Sequence, residues 1–520
     1  MDSQKYAQGI ALFNAGEFFD AHEALEDVWR EASATEKPFL QGLIQIAVAL
    51  HHYSTGNLVG ARSLLARGAR NLNGYPDAHG GINLRRLRAA AGKWENALAN
   101  GTPPPAPPRL EPASPDARID SPVNNPSTER SLAVETAVKV RQVPLLDLRR
   151  QYRTIREEVL AAVERVCATQ HFILGEEVAT FEGEVAAFVG TEHAVGCASG
   201  SDALWLALVA CGIGPGDAVV TTPFSFFASA SSIVRAGARP VFVDVDPQTL
   251  NLDPGAVERR VVQSNTARLR TILPVHLFGQ CADMESLQRI ADKHNLLIIE
   301  DAAQAFGAAW RGQRAGSFGT VAAFSFYPTK NLSAYGEAGC LTTNGYDIAE
   351  RARRLRNHGS RERYFHDEMG WNCRLDALQA AILRVKMGYI ERWNEARRLR
   401  AAIYDRLFAG AGLTSDSHSS APVRRLRTHP DAFHIFHQYV LRVSRRDELR
   451  QFLAARGIGT EIYYPLPLHL QKCLTYLGYV EGDLPEAERA AREVLALPMF
   501  PEITEDEQNY VVEQIAEFFS

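Results

Sequence analysis

The chain has 520 residues, 46% of them hydrophobic, and a formal net charge of −5. That length exceeds what one hydrophobic core organises, so at least two folding units are expected. The mildly acidic balance argues against a broad nucleic-acid-binding face. Seven cysteines (Cys167, Cys197, Cys211, Cys281, Cys340, Cys373 and Cys473) are scattered without the close pairing of a zinc or redox site, which fits a reduced compartment. The N-terminus opens no signal-peptide pattern, and apolar runs such as 43–50 are too short to cross a bilayer. A soluble, cytoplasmic protein is expected.

In chain order, residues 1–98 read as all-helical. Phe18, Ala21, Leu25, Val28 and Trp29 recur at spacings of three and four, and nothing there reads as a strand. Residues 99–141 read as a linker rich in Pro, Ser and Asn, opening with Thr102-Pro103-Pro104-Pro105-Ala106-Pro107-Pro108. Residues 142–385 alternate short apolar runs with helical ones. The strand candidates are 218–222, 240–245, 271–277, 296–299 and 321–326, several of them apolar throughout, as strands buried on both faces of a largely parallel sheet are. Residues 386–520 open with a long amphipathic stretch, Ile390 to Phe408, and read as a smaller α+β domain.

In open α/β sheets ligands sit at the carboxyl ends of strands. Four groups occupy such places. Ser199-Gly200-Ser201-Asp202 precedes an apolar helical run and offers free backbone N–H groups to a phosphate; the plainer reading is a helix cap on Ser201 or Asp202. Thr222-Pro223-Phe224-Ser225-Phe226-Phe227 offers aromatic faces to a planar ring, although phenylalanines so placed are more often core. Asp301, closing a buried strand with Gln304 three residues on, is costly unless partnered; it serves equally as a helix N-cap. Ser325 and Lys330 follow an apolar strand in a turn containing Pro328 and Asn331. An amine at one strand end and a carboxylate at another suit pyridoxal phosphate, which needs the first for covalent attachment and the second to keep its ring nitrogen protonated.

The order of these motifs carries a resemblance. Pro144-Leu145-Leu146-Asp147-Leu148, Phe172-Ile173-Leu174-Gly175, Ser199-Gly200-Ser201-Asp202-Ala203-Leu204, Pro274-Val275-His276-Leu277-Phe278-Gly279, Glu300-Asp301-Ala302-Ala303-Gln304, Phe324 to Leu332, Asn372 to Ala381 and Tyr464 to His469 run in sequence. Together they make the region from Val143 to Phe519 resemble the DegT/StrS family of nucleotide-sugar aminotransferases. The resemblance implies an α/β, aspartate aminotransferase-like (PLP fold type I) large domain, a smaller C-terminal domain and a homodimer with shared active sites. It implies pyridoxal 5'-phosphate attached to Lys330, which then shuttles a proton. Asp301 would meet the ring nitrogen, Gln304 the ring hydroxyl oxygen, and Phe227, or Phe226 one position away, the ring face. Gly200, Ser201 and Ser325 would hold the phosphate, joined by Asn372 of the neighbouring subunit. Arg374, His366 and Tyr464 are the substrate-side candidates, Arg because its planar fork suits a diphosphate.

The family commonly has threonine where Ser201 stands, and many members have histidine where Tyr463 precedes the Tyr-Pro pair; some relatives with histidine in place of the lysine are dehydratases. The stretch from His358 to Asp376 looks most like the subgroup aminating C3 of a nucleotide-linked keto-hexose, with an amino acid, usually glutamate, as donor. Two other readings stay open: an aminotransferase acting on a cyclitol ketone, and a regulatory or scaffold protein that binds the cofactor without turnover. At the N-terminus, Phe18 to Trp29 and Phe39 to Gln45 resemble a small all-helical family of unknown function. His22, Glu23 and Glu26 share one helical turn there and His51 and His52 lie on a later helix; hydrogen-bonded helix contacts are the commoner outcome of such spacing, and no metal is expected.

Overall fold

The computed structural model describes residues 3–33, 35–54, 58–99, 102, 104–113, 141–263, 268–414 and 421–520. The chain divides into two compact units, Met1–Thr136 and Ala137–Ser520. Most of the predicted linker, residues 114–140, lies outside the described residues.

The first unit contains helices α1 (Ser3–Ala15), α2 (Phe18–Glu31), α3 (Lys37–Ser54), α4 (Leu58–Leu72) and α5 (Leu84–Ala99). Ala21, Leu25 and Val28 of the predicted apolar stripe are buried with Phe39, Leu40 and Leu43, while Phe18 and Trp29 pack at the margin. The expectation of no strand here fails in one place. A two-residue hairpin, β1 (Ala78–His79) and β2 (Ile82–Asn83), turns through Gly80 and Gly81 at φ +55° and +73°. Two consecutive glycines permit this tight primed turn, a signal that the helical periodicity around it masks. Among the described residues, no helix is long and apolar enough to cross a membrane.

The second unit is built on a seven-stranded sheet. Its strands are β3 (His193–Cys197), β4 (Asp217–Thr221), β5 (Arg239–Phe242), β6 (Arg268–Leu273), β7 (Leu297–Asp301), β8 (Val321–Ser325) and β9 (Gly339–Thr343), in the order β3-β9-β8-β7-β6-β4-β5. The β8-β7, β7-β6, β6-β4 and β4-β5 pairs are parallel, and β9 runs antiparallel to both its neighbours. The five predicted strand cores are present, but β5 and β6 end three and four residues before the predicted ends at 245 and 277: the chain leaves the ladder there to form loops. Strands β3 and β9 lie outside the predicted strands. Each is a five-residue strand containing a glycine, Gly196 in one and Gly339 in the other, too short to show a period against its flanking helices. After a long helix (Ile390–Gly410), a three-stranded sheet of β10 (Val423–Arg425), β11 (Tyr439–Val443) and β12 (Val494–Leu497) carries the C-terminal part around its own core of Leu441, Leu449, Leu495 and Val511.

The end of β7 is held rigidly. Glu300 is fully buried and accepts hydrogen bonds from the N–H groups of Gly316 (2.7 Å), Phe318 (2.8 Å) and Gly319 (2.7 Å). His276 completes the cage at 2.9 Å through Nε2. Its Nδ1 accepts from Ala282 N–H, so Nε2 carries the proton and donates to the carboxylate. Glu300→Leu would orphan these donors. It is expected to destabilise the fold by about 3 kcal/mol or more, seen as a lower urea midpoint with an unchanged slope.

Candidate active site

The sheet brings three separated segments to one edge. Register pairs Ser325 with Gly339 and Gly339 with Cys197, so the ends of β8 and β3 flank the start of β9. From Cys197 the chain passes through extended Ser199 (φ −162°, ψ 165°) into a helix, α6 (Gly200–Ala210). Ser199 is the capping residue: its Oγ accepts from Asp202 N–H at 3.1 Å. The cap expected on Ser201 or Asp202 is therefore two or three residues earlier, because the backbone is still extended at Ser199 and already helical at Gly200. A Cβ on Gly200 would lie 2.5 Å from Ser325 Cβ, and one on Gly339 would lie 2.3 Å from Ser199 O. Only glycine lets these segments close up, and Gly339 is a contributor that the sequence reading did not single out; a glycine inside a strand was the available signal. Asp202, the acid of this first turn, is turned toward Arg235 at 2.6 Å, whose guanidinium lies 4.2 Å from the Trp205 ring centre. The backbone N–H groups of Gly200 and Ser201 stand at the helix start, where no carbonyl of the preceding turn exists to accept from them.

Asp301 closes β7 with its carboxylate buried. No helix follows it, so the N-cap alternative fails; Oδ1 accepts from Ala303 N–H at 3.2 Å in a local turn. Oδ2 accepts from Ser229 Oγ at 2.7 Å. Burial raises the acid above its ordinary range, opposed by the Ser229 hydroxyl, the Ala303 N–H and the charge of Lys330. Lys330 lies in the turn after β8, its N–H on Tyr327 O at 2.8 Å. The turn is clamped from beyond by Asn331, which donates to Asn394 Oδ1 (2.8 Å) and accepts from His437 Nδ1 (3.0 Å). Loss of water around the amine lowers Lys330 to about 8, with Asp301 pulling the other way.

Gln304 joins this pair to a second wall. Its Oε1 accepts from Phe278 N–H at 2.7 Å, and its Nε2 donates to Tyr464 Oη at 2.7 Å. Tyr464 packs edge-on against Phe224 and parallel to Phe278, and both Tyr464 (φ +61°) and Phe278 (φ +56°) hold left-handed backbones. Such conformations cost about 1–3 kcal/mol each in bulky residues and gather at functional sites. The aromatic group splits: Phe224 is core, while Phe227 and Phe226 are 40% and 62% exposed.

Of the remaining predicted residues, one borders the cradle and two lie apart from it. Arg374 bonds Asn357 Oδ1 at 3.1 Å and bridges by backbone to Cys197, beside the glycine cradle. Asn372 is exposed, and His366 sits exposed on a hairpin of residues 360–366 with Nδ1 on His358 O. Among the described residues, neither is hydrogen-bonded to Lys330, Asp301 or Gln304. Ser225 and Ser229, which the sequence reading passed over, lie in the cluster instead.

A desolvated amine, a buried acid with spare lone pairs, a helix start closed to all but glycine and an exposed aromatic face fit the attachment point, ring nitrogen, phosphate and ring of pyridoxal phosphate. Fold and side-chain cluster define a pyridoxal-phosphate-dependent aminotransferase. The chain belongs to the DegT/DnrJ/EryC1/StrS aminotransferase family, whose profile matches residues 153–516, while residues 6–64 match a domain of unknown function, DUF309. It is 50% identical over 381 residues to a pleiotropic regulatory protein of Geobacillus stearothermophilus, covering 72% of this chain and 98% of that one. It is 44% identical over 377 residues to the dTDP-3-amino-3,4,6-trideoxy-alpha-D-glucose transaminase of Streptomyces venezuelae, covering 72% and 96%. The crystal structure of S. venezuelae DesV in complex with a ketimine intermediate superposes with a TM-score of 0.68 at 44% identity, over 72% of this chain and 98% of that one.

The depressed amine sets a pH dependence. Capture of pyridoxal phosphate by the cofactor-free protein is expected to accelerate through a midpoint near pH 8 as Lys330 loses its proton, read as the growth of visible absorbance fixed by borohydride. Lys330→Ala should leave no borohydride-fixed band.

Proposed function

We propose that the protein transfers an amino group from an amino acid, glutamate being the donor to test first, to C3 of a nucleotide-diphosphate keto-sugar, in the cytoplasm, for polysaccharide or glycoside synthesis. The observation that carries this reading is the placement of Lys330 in the turn after β8, beside the parallel strand β7 that ends on buried Asp301. The 3-amino-sugar transaminase among the relatives supports the substrate class. Seven free cysteines support the compartment.

Bound pyridoxal phosphate supplies an electron sink that makes the donor's α proton acidic. Lys330 would hold the cofactor covalently, and its Nζ would be the group to carry that proton. Asp301 would keep the ring nitrogen protonated, Gln304 would meet the ring hydroxyl oxygen, and Phe227 would cover one ring face. The first-turn N–H groups at Gly200 and Ser201, with the Ser325 hydroxyl, hold the phosphate. Tyr464, steered by Gln304, and Arg374 border the sugar-nucleotide.

We assign Asn372 and His366 to the active site of a second copy in a homodimer. Around them Tyr364 and Met369, 78% and 80% exposed, together with Phe365 and Trp371, form an apolar surface suited to self-association. A regulatory scaffold without turnover would have no use for an imine-forming amine, which favours the enzyme.

Glutamate is expected to convert the cofactor to its pyridoxamine form, and a nucleotide-linked 3-keto-hexose to reverse the change. Competition by free nucleoside diphosphate supports this substrate; re-oxidation by a cyclitol ketone without such competition would overturn it in favour of a cyclitol. Mixing inactive Lys330→Ala with Asn372→Ala should restore more activity than the two have separately, since hybrid dimers rebuild one intact site; no gain would refute site sharing.

A further inference from the structure

We propose that Ser229 and Ser225 are positioning residues of the active site, forming a one-way hydroxyl relay that holds Asp301 as the anion facing the cofactor's ring nitrogen. The inference rests on the ring-nitrogen role proposed for Asp301 above. Ser229 Oγ lies 2.7 Å from Asp301 Oδ2, and Ser225 Oγ lies 2.8 Å from Ser229 Oγ. All three side chains are buried.

Proton count fixes the direction. A serine hydroxyl has one proton to donate and lone pairs to accept with. Ser229 gives its proton to Asp301, so the bond between the serines has Ser225 as donor. Each link polarises the next toward the carboxylate. With Ala303 N–H on Oδ1, each oxygen of Asp301 then has one donor from the protein, leaving lone pairs for a ring N–H.

The helix that starts at Ala228 (Ala228–Arg235) supplies a contrast. Its other buried, hydrogen-bonded serine, Ser232, returns its hydroxyl to Ala228 O at 2.7 Å, the ordinary fate of serine inside a helix. Ser229 instead reaches across to another strand. Ser225 and Ser229 also bracket Phe227, so one turn of chain sets both the exposed ring-face aromatic and the acid opposite the ring nitrogen.

The charged or titratable groups around Asp301 are Lys330, which favours the anion, His276, already donating to Glu300, and the phenol of Tyr464. Burial lifts the acid above its usual range, and the Ser229 hydroxyl is the leading influence opposing it. A carboxyl raised on folding contributes stability that is complete below its unfolded pKa and lost as pH rises through its folded value. Removing the hydroxyl lifts the folded value further, so the deficit of a Ser229→Ala protein must widen as pH rises. A packing defect carries no such slope.

The test uses the full chain, with and without pyridoxal phosphate, as wild type, Ser229→Ala, Ser229→Thr and Ser225→Ala. In cofactor-free protein, the melting-temperature gap between Ser229→Ala and wild type is expected to widen as pH rises above the ordinary carboxylate range. In loaded protein, a weaker positive charge on the ring nitrogen lets the linked Lys330 nitrogen keep its proton longer. The midpoint of the visible-absorbance titration should therefore move up by about one pH unit in Ser229→Ala, less in Ser225→Ala, and hardly at all in Ser229→Thr, which keeps the hydroxyl. The first variant's kcat should fall roughly ten- to a hundred-fold, the range expected for a lost hydrogen bond to a charged group, with a smaller change in KM. A pH-independent melting deficit together with an unmoved spectral midpoint would overturn the relay. If wild type takes up no cofactor, the ring-nitrogen role fails, and the cofactor-free melts still decide whether Ser229 supports the Asp301 anion.

Discussion

The site depends on desolvation of two groups of opposite charge at the ends of adjacent strands. In water an amine and a carboxylate would both be ionised and largely indifferent to each other. Inside the sheet, loss of water pulls Lys330 down toward neutral pH and pushes Asp301 up, and each partly corrects the other. An amine near neutral pH is a nucleophile, and the donors around a buried acid oppose the rise that burial imposes on it. The adjacent Glu300 shows the contrasting solution, with three backbone N–H groups and a neutral imidazole around one carboxylate. Neighbouring acids on one strand thus take different parts: Glu300 is fully satisfied by the protein and fixes the strand end, while Asp301 keeps capacity for a further donor.

Rigidity around the pair comes from strained and crowded backbone. Phe278 and Tyr464 hold left-handed conformations that Gln304 ties together through one acceptor and one donor. Asn331, Asn394 and His437 fasten the far side of the Lys330 turn. Such over-determination lets unfavourable local geometry persist where chemistry needs fixed positions.

Much of this was legible along the chain because strand ends in parallel sheets are short, apolar and followed at once by polar residues. Asp301, Gln304, Ser325 and Lys330 all sit at such junctions, and their motif order carried the family resemblance. The less legible features have physical reasons. Strands β3 and β9 are five residues long with glycine inside, so no periodicity marks them. Gly339 matters through what it excludes, which spacing along one strand does not reveal. Ser225 and Ser229 look like ordinary polar residues around a helix start, and their partner lies 72 residues downstream of Ser229. The hairpin at Gly80-Gly81 was hidden by the helices on either side.

The glycine cradle has a consequence for how the enzyme matures. Its walls come from Ser199-Gly200, Ser325 and Gly339, segments distant in sequence that meet only when an antiparallel strand slots between two others. No fragment ending before residue 339 contains the whole seat. On the phosphate role proposed for this cradle, cofactor capture follows completion of the sheet, and the ligand would then draw the folding equilibrium toward the finished chain by mass action.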